Sequence, residues 1–235
     1  MEIKQSNRIQ TSVLNGIERK VLVWLAKREP SWVTSDMLTF VGFLGALIIA
    51  AGFILSNIDI HYLWLASFGL FVNWYGDSLD GTLARVRNAQ RPVYGYFVDH
   101  MIDGFNEVIM FIGVGLSPLI NFDLALLVLV FYLLLSIYVY INSHLKGEFK
   151  LTYAKMGPTE FRLLIIIINT LVMYVSPLRD FAKEVRLFGS LHTLTLFDMV
   201  GIILIIVLAV MLIVSFVHDA GDYAKTDSPK KHVED

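Results

Sequence analysis

The feature that most restricts this chain is a succession of six apolar runs, near residues 36–55, 61–81, 94–117, 122–143, 159–176 and 195–217. Each is close to the roughly 20 residues that a helix needs to cross about 30 Å of hydrocarbon. Backbone polar groups in lipid must be satisfied within the segment, so runs of this kind fold as helices. Composition agrees: 56% of the 235 residues are hydrophobic and the mean hydropathy is +0.63, well above an ordinary soluble domain. The expected fold class is all-α, a polytopic membrane protein with six transmembrane helices in a single membrane domain over residues 1–221. The polar tail from Asp222 to Asp235 is expected to be disordered.

Ahead of the first run, Val13, Ile17, Val21, Trp24 and Leu25 recur at helical spacing, with Glu18, Arg19, Lys20, Lys27 and Arg28 between them. The pattern predicts an amphipathic surface helix over about 10–28, lying on membrane lipid or, alternatively, packed on a partner. Basic residues set the orientation. Arg8, Arg19, Lys20, Lys27 and Arg28 precede the first run, Arg85, Arg87 and Arg91 follow the second, and Lys146, Lys150 and Lys155 follow the fourth. The alternate connections 56–60 and 118–120 carry none. Both termini are therefore expected in the cytoplasm, which in a bacterium means an integral protein of the cell membrane. Arg179, Lys183 and Arg186 dissent from the outer side and are outvoted. The formal net charge of −2 gives no reason to expect a nucleic-acid partner. With no cysteine, disulfides, thiolate metal sites and cysteine nucleophiles are excluded. The stretch from Met1 to Gln10 lacks the pattern of a cleavable signal peptide.

Four carboxylates interrupt the second and third runs: Asp77, Asp80, Asp99 and Asp103. An ionised Asp at mid-helix costs about 2.5–3.5 kcal/mol on the insertion scale, so four of them need compensation. Ion pairs with Arg85, Arg87 or Arg91 would supply it, as would a bound cation. Spacing favours the cation. Asp77 and Asp80 are i and i+3, Asp99 and Asp103 are i and i+4, so each pair projects from one helix face and two such faces form an oxygen cage. An all-oxygen donor set favours Mg²⁺ or Mn²⁺ over zinc or copper. Two such ions about 4 Å apart would stabilise both oxygens of an in-line displacement at phosphorus. Gly81, Ala84 and Gly95 leave room for a nucleotide, and Arg85 offers a cation to phosphate. The rival reading, a cation transporter, calls for broken helices or acids spread along a path across the bilayer, rather than a cluster at the cytoplasmic ends of two neighbouring spans.

The run Asp77-x-x-Asp80-Gly81-x-x-Ala84-Arg85, followed by Gly95-x-x-x-Asp99-x-x-x-Asp103, resembles the signature of the CDP-alcohol phosphotransferase family. The interval Val86 to Tyr94 is one residue longer than the family's usual one, in a connection that contains Pro92. The resemblance implies a phospholipid-synthesising enzyme that moves a phosphatidyl or substituted phosphate group from a CDP-linked donor to an alcohol, releasing CMP. Carried over residue by residue, it implies that Asp77, Asp80, Asp99 and Asp103 hold a pair of Mg²⁺ or Mn²⁺ ions. Asp80, Gly81, Ala84, Arg85 and Gly95 then belong to the nucleotide site, and Asp103 becomes the base acting on the acceptor. CDP-diacylglycerol is the leading donor, and a CDP-linked amino alcohol with diacylglycerol as acceptor is the alternative. Family members commonly form dimers, so a homodimer is a further expectation.

Elsewhere the signals are thinner. Arg162, with Lys155, offers a site for an acceptor phosphate; the competing reading has Arg162 snorkelling to the boundary or paired with Glu160. His100 and His144 read as hydrogen-bonded structural residues. Gly42, Gly45, Gly113 and Gly115 read as small residues that allow close helix approach.

Overall fold

A computed structural model of the chain describes residues 7–9, 14–146, 148–150, 157–187 and 190–227. It is mostly helical. Helices α1 (Asn15–Ala26), α2 (Ser35–Leu55), α3 (Leu63–Val86), α4 (Pro92–Gly115), α5 (Phe122–Lys146), α6 (Pro158–Tyr174), the short α7 (Ser176–Arg179) and α8 (Leu196–Thr226) follow one another through brief connections. The six long ones, α2 to α6 and α8, fall on the six apolar runs.

The tightest packing is between α2 and α3, and glycines make it possible. A Cβ at Gly76 would overlap the backbone of Gly42, and one at Gly45 would overlap the backbone of Asn73. With hydrogen in those places the two backbones approach directly, which fixes the register of α3 against α2. Gly113 of α4 meets Ala50 of α2 in the same manner, so these small residues serve helix packing inside the chain. Outward from this centre, α6 and α1 pack on α3, α4 packs on α2 and α5, and α8 packs on α5. One apolar core joins Ile49, Phe53, Leu63, Ala66, Leu70, Leu119, Val172 and Met173. A second lies under α1, where Leu22 and Ala26 meet Leu38, Leu79 and Leu83. α1 lies within the stretch read as a surface helix, and it uses Leu22 and Ala26 for its own chain while Ile17, Val21 and Trp24 stay exposed.

Among the described residues, three helices, α2, α5 and α8, are long and apolar enough to cross a membrane, with mean hydropathies of 2.5, 2.7 and 3.3. α8 leaves Ile203, Ile206, Val210, Ile213 and Phe216 exposed, an apolar face that water would penalise. The polar stripes of α3 and α4 lower their apolar content, and α6 has 17 residues, fewer than the roughly 20 of a full span.

Short strands add to the helices. β1 (Asn7–Ile9) runs parallel to β2 (Glu148–Lys150), and β3 (Ala182–Leu187) pairs antiparallel with β4 (Ser190–Thr195). This hairpin takes in Lys183 and Arg186, two of the three dissenting basic residues. The hairpin departs from the all-helical expectation; the sequence from Ala182 to Thr195 alternates only in places, as at Val185-Arg186-Leu187, so its strand period is weak. The hairpin leads into α8 through a firm cap. Thr195 Oγ1 accepts from Asp198 N at 3.1 Å, and fully buried Asp198 accepts from Asn121 N at 2.7 Å and Asn121 Nδ2 at 2.6 Å.

Candidate active site

The site forms where α3 and α4 face α2. Along α3, Asn73, Asp77 and Asp80 are spaced i, i+4, i+7; along α4, Asp99, Asp103 and Asn106 are spaced i, i+4, i+7 as well. Helical periodicity brings each trio to one face. The two stripes meet in a pocket lined by Thr39, Gly42, Asp77, Asp80, Asp99, Ile102, Asp103 and Asn106. Carboxylate oxygens of Asp77, Asp99 and Asp103 all lie within 4.8 Å of one another.

Asp80 is held slightly apart. Only 7% exposed, it accepts from Thr39 Oγ1 at 2.6 Å, and its other oxygen lies against its neighbour's amide, Gly81 N. Ser35 Oγ donates to the Asp80 carbonyl at 3.0 Å, so α2 fixes both ends of this residue. Asp77 is fixed from the other side. Arg162 Nη2, reaching in from α6, donates to Asp77 Oδ2 at 2.5 Å and to Asn73 Oδ1 at 2.9 Å. Asn73 is buried and passes the chain of bonds to α2 by donating to Gly42 O at 3.0 Å. Arg162 therefore pairs with Asp77, one of the residues that line the pocket. Glu160 instead accepts from Gly157 N and from Leu14 N, joining α6 to the residue before α1.

Two of the three arginines offered as ion-pair partners for the carboxylates are engaged elsewhere. Arg87 donates to the carbonyls of Val33, Glu29 and Pro30, closing the α1–α2 connection onto the end of α3. Arg91 pairs with Asp36 and lies over the Tyr94 ring at 4.1 Å. In the α3–α4 connection, Asn88 adopts a left-handed φ of 53°, a conformation Asn tolerates, and α4 starts at Pro92.

Gly81, Ala84, Arg85 and Gly95 are not among the residues that line the pocket. The nearest atom to a Cβ at Gly81 would be Arg85 Nη1 at 3.5 Å, and nothing lies within 4 Å of one at Gly95. Arg85, exposed, donates to Thr82 Oγ1 at 3.0 Å. His100 Nδ1 donates to Tyr96 O at 2.9 Å, and the ring packs on those of Tyr96 and Tyr140, in keeping with a structural role. Lys155 lies outside the described residues.

Thr39, Asn73 and Asn106 went unread in the sequence. The two asparagines continue the aspartate stripes by one helical turn, a signal present in the spacing. Thr39 is a polar residue within an apolar run, which is itself a pointer to function in a membrane helix.

Three carboxylates this close repel one another unless a cation lies among them, and hard oxygen donors suit Mg²⁺ or Mn²⁺, so the donor set fits a divalent ion. The carboxylates are confined to one pocket on two unbroken helices, unlike the distributed path of a transporter. Comparison with known proteins agrees with this chemistry. A family model described as CDP-alcohol phosphatidyltransferase matches residues 32–217. An archaetidylinositol phosphate synthase of Pyrococcus horikoshii is 31% identical over 139 residues, covering 59% of this chain and 70% of that protein. A phosphatidylinositol phosphate synthase of Cutibacterium acnes is 32% identical over 84 residues, 36% of this chain and 38% of that protein.

Proposed function

Because the chain belongs to the CDP-alcohol phosphatidyltransferase family, a family of transferases of substituted phosphate groups in phospholipid biosynthesis, we propose that it transfers a phosphatidyl group from CDP-diacylglycerol to a phosphorylated polyol. The relatives named for inositol phosphate lipids make an inositol phosphate the leading acceptor. The observation that carries this reading is the convergence of Asp77, Asp99 and Asp103 within 4.8 Å, beside an Asp80 held by Thr39.

In this reading Asp77, Asp80, Asp99 and Asp103 hold two divalent ions, Mg²⁺ or Mn²⁺. Bound there, such ions supply positive charge to the diphosphate and polarise a phosphoryl oxygen. The chain's own residues do the rest. Gly81, Ala84 and Gly95 give the nucleotide an unobstructed surface beside the carboxylates, and Arg85 offers its guanidinium to a phosphate. Thr39 and Arg162 keep Asp80 and Asp77 in place. Asp103 accepts the proton of the acceptor hydroxyl, the freed oxygen attacks the β-phosphorus, the bond to CMP breaks, and a phosphodiester remains. Arg162, with Lys155, binds the phosphate that the acceptor already carries.

The six long helices act as six spans, with α1 on the cytoplasmic membrane surface and its exposed Ile17, Val21 and Trp24 in contact with lipid. Both termini and the pocket face the cytoplasm, and the protein works as a homodimer. The test is CMP release by the purified protein from CDP-diacylglycerol across a panel of acceptors, with and without exhaustive chelation. Release with a phosphorylated polyol that stops on chelation supports the reading. Release only from a CDP-linked amino alcohol with diacylglycerol would assign the other branch of the family, and full release after chelation would remove the cations.

A further inference from the structure

Asn106 closes the inner end of the carboxylate pocket. It stands one turn beyond Asp103 on α4, is 4% exposed, and lines the pocket together with the four aspartates. Its Oδ1 is cut off from solvent and has no hydrogen-bond partner among the described residues. Asn73, at the matching place on α3, is satisfied at both ends, through Arg162 and Gly42 O. The contrast matters because buried polar atoms are nearly always paired, and an unpaired one marks a place where something else supplies the partner.

The pocket walls have little to offer that oxygen. Ionised carboxylates only accept, so Asp77, Asp80, Asp99 and Asp103 bring no donor. Thr39 gives its proton to Asp80, and Arg162 is turned to Asp77 and Asn73. A neutral amide oxygen is, however, a good hard ligand, and it adds coordination without adding to the repulsion among three neighbouring carboxylates. We propose that Asn106 Oδ1 is the neutral oxygen of the divalent-cation site formed by Asp77, Asp99 and Asp103, meeting the cation or a water bound to it. This rests on the cation reading of the same pocket given above.

The test uses the full-length protein without substrate and measures Mn²⁺ binding and thermal unfolding. Asn106→Leu keeps the side chain's approximate size and removes the oxygen. Without metal it melts at or above the wild-type temperature, because an unpaired buried oxygen has gone, and its dissociation constant for Mn²⁺ rises about 10–100-fold, the range seen when a supporting partner of a metal site is lost. Asn106→Asp keeps an oxygen and adds a charge, so it binds Mn²⁺ at least as tightly as wild type while its metal-free form melts lower. A Leu variant with wild-type Mn²⁺ affinity overturns the proposal and leaves Asn106 a structural residue beside an ordinary buried water. If the Leu variant does not fold, the Asp variant decides: Mn²⁺ binding weaker than wild type overturns the proposal. Wild-type protein with no saturable Mn²⁺ binding overturns the cation reading itself, and the role of Asn106 with it.

Discussion

Thr39→Val tests how the second helix serves the site. Valine matches threonine in shape and branching, so it fills the same space on α2 and deletes only the hydroxyl. That hydroxyl has one proton and two acceptors in reach, the Asp80 carboxylate at 2.6 Å and the Ser35 carbonyl at 3.1 Å. The shorter distance and the charged acceptor assign the proton to Asp80. A hydrogen bond to a charged group contributes about 1.5–3 kcal/mol. Asp80 is 7% exposed, which leaves little room for water to substitute. At about 1.4 kcal/mol per factor of ten, the full effect would be roughly 10–150-fold, and the remaining contact with Gly81 N moves the expectation to the lower part of that range. We expect kcat/KM for the CDP-linked donor, measured by CMP release at fixed cation concentration, to fall about 10–50-fold, with Thr39→Ser restoring most of it. A folded Val variant within about twofold of wild type would refute the assignment and return the proton to Ser35.

Other consequences can be checked separately. Gly76→Ala drives a methyl into the backbone of Gly42 and should destabilise the protein by about 1–3 kcal/mol in thermal unfolding, whereas Gly104→Ala, with nothing within 4 Å, should be neutral or slightly stabilising. Arg162→Ala should raise the acceptor's KM more than the donor's, and an unchanged acceptor KM would confine Arg162 to holding Asp77. In a chain without native cysteine, Gln90→Cys and Ile58→Cys should label from opposite faces of sealed vesicles; labelling from one face would refute the six-span arrangement.

The helices and the acidic pairs were legible because both follow from periodicity. Apolar runs the length of a bilayer located α2 to α6 and α8, and the spacing of Asp77 with Asp80 and Asp99 with Asp103 foretold two facing stripes. What the stripes pack against was not legible, since it depends on contacts distant in sequence: Thr39 reaches Asp80 across 41 residues and Arg162 reaches Asp77 across 85. Arg162 shows the limit well. Local spacing offered Glu160 as its partner, but Glu160 turns back to cap α6 and α1, and the guanidinium goes to the pocket instead. The β3–β4 hairpin was obscured for another reason. Its basic residues read as topology signals, and its apolar–polar alternation is broken at Lys183-Glu184 and at His192-Thr193, which leaves the strand pattern weak in the sequence.

Transfer from a CDP-linked donor by the α3–α4 carboxylates, with Asp103 taking the acceptor's proton, is tested most directly by Asp103→Asn. This substitution preserves size and one oxygen ligand while removing the basic carboxylate. The decisive measurement is its single-turnover rate of transfer from CDP-diacylglycerol to a phosphorylated polyol, taken beside its cation-dependent affinity for CDP. Near-normal CDP affinity is expected with a rate reduced by about 10²–10⁴, the usual contribution of a general base. A parallel collapse of CDP affinity and rate would reduce Asp103 to a ligand, and an unchanged rate would contradict its part in the transfer altogether.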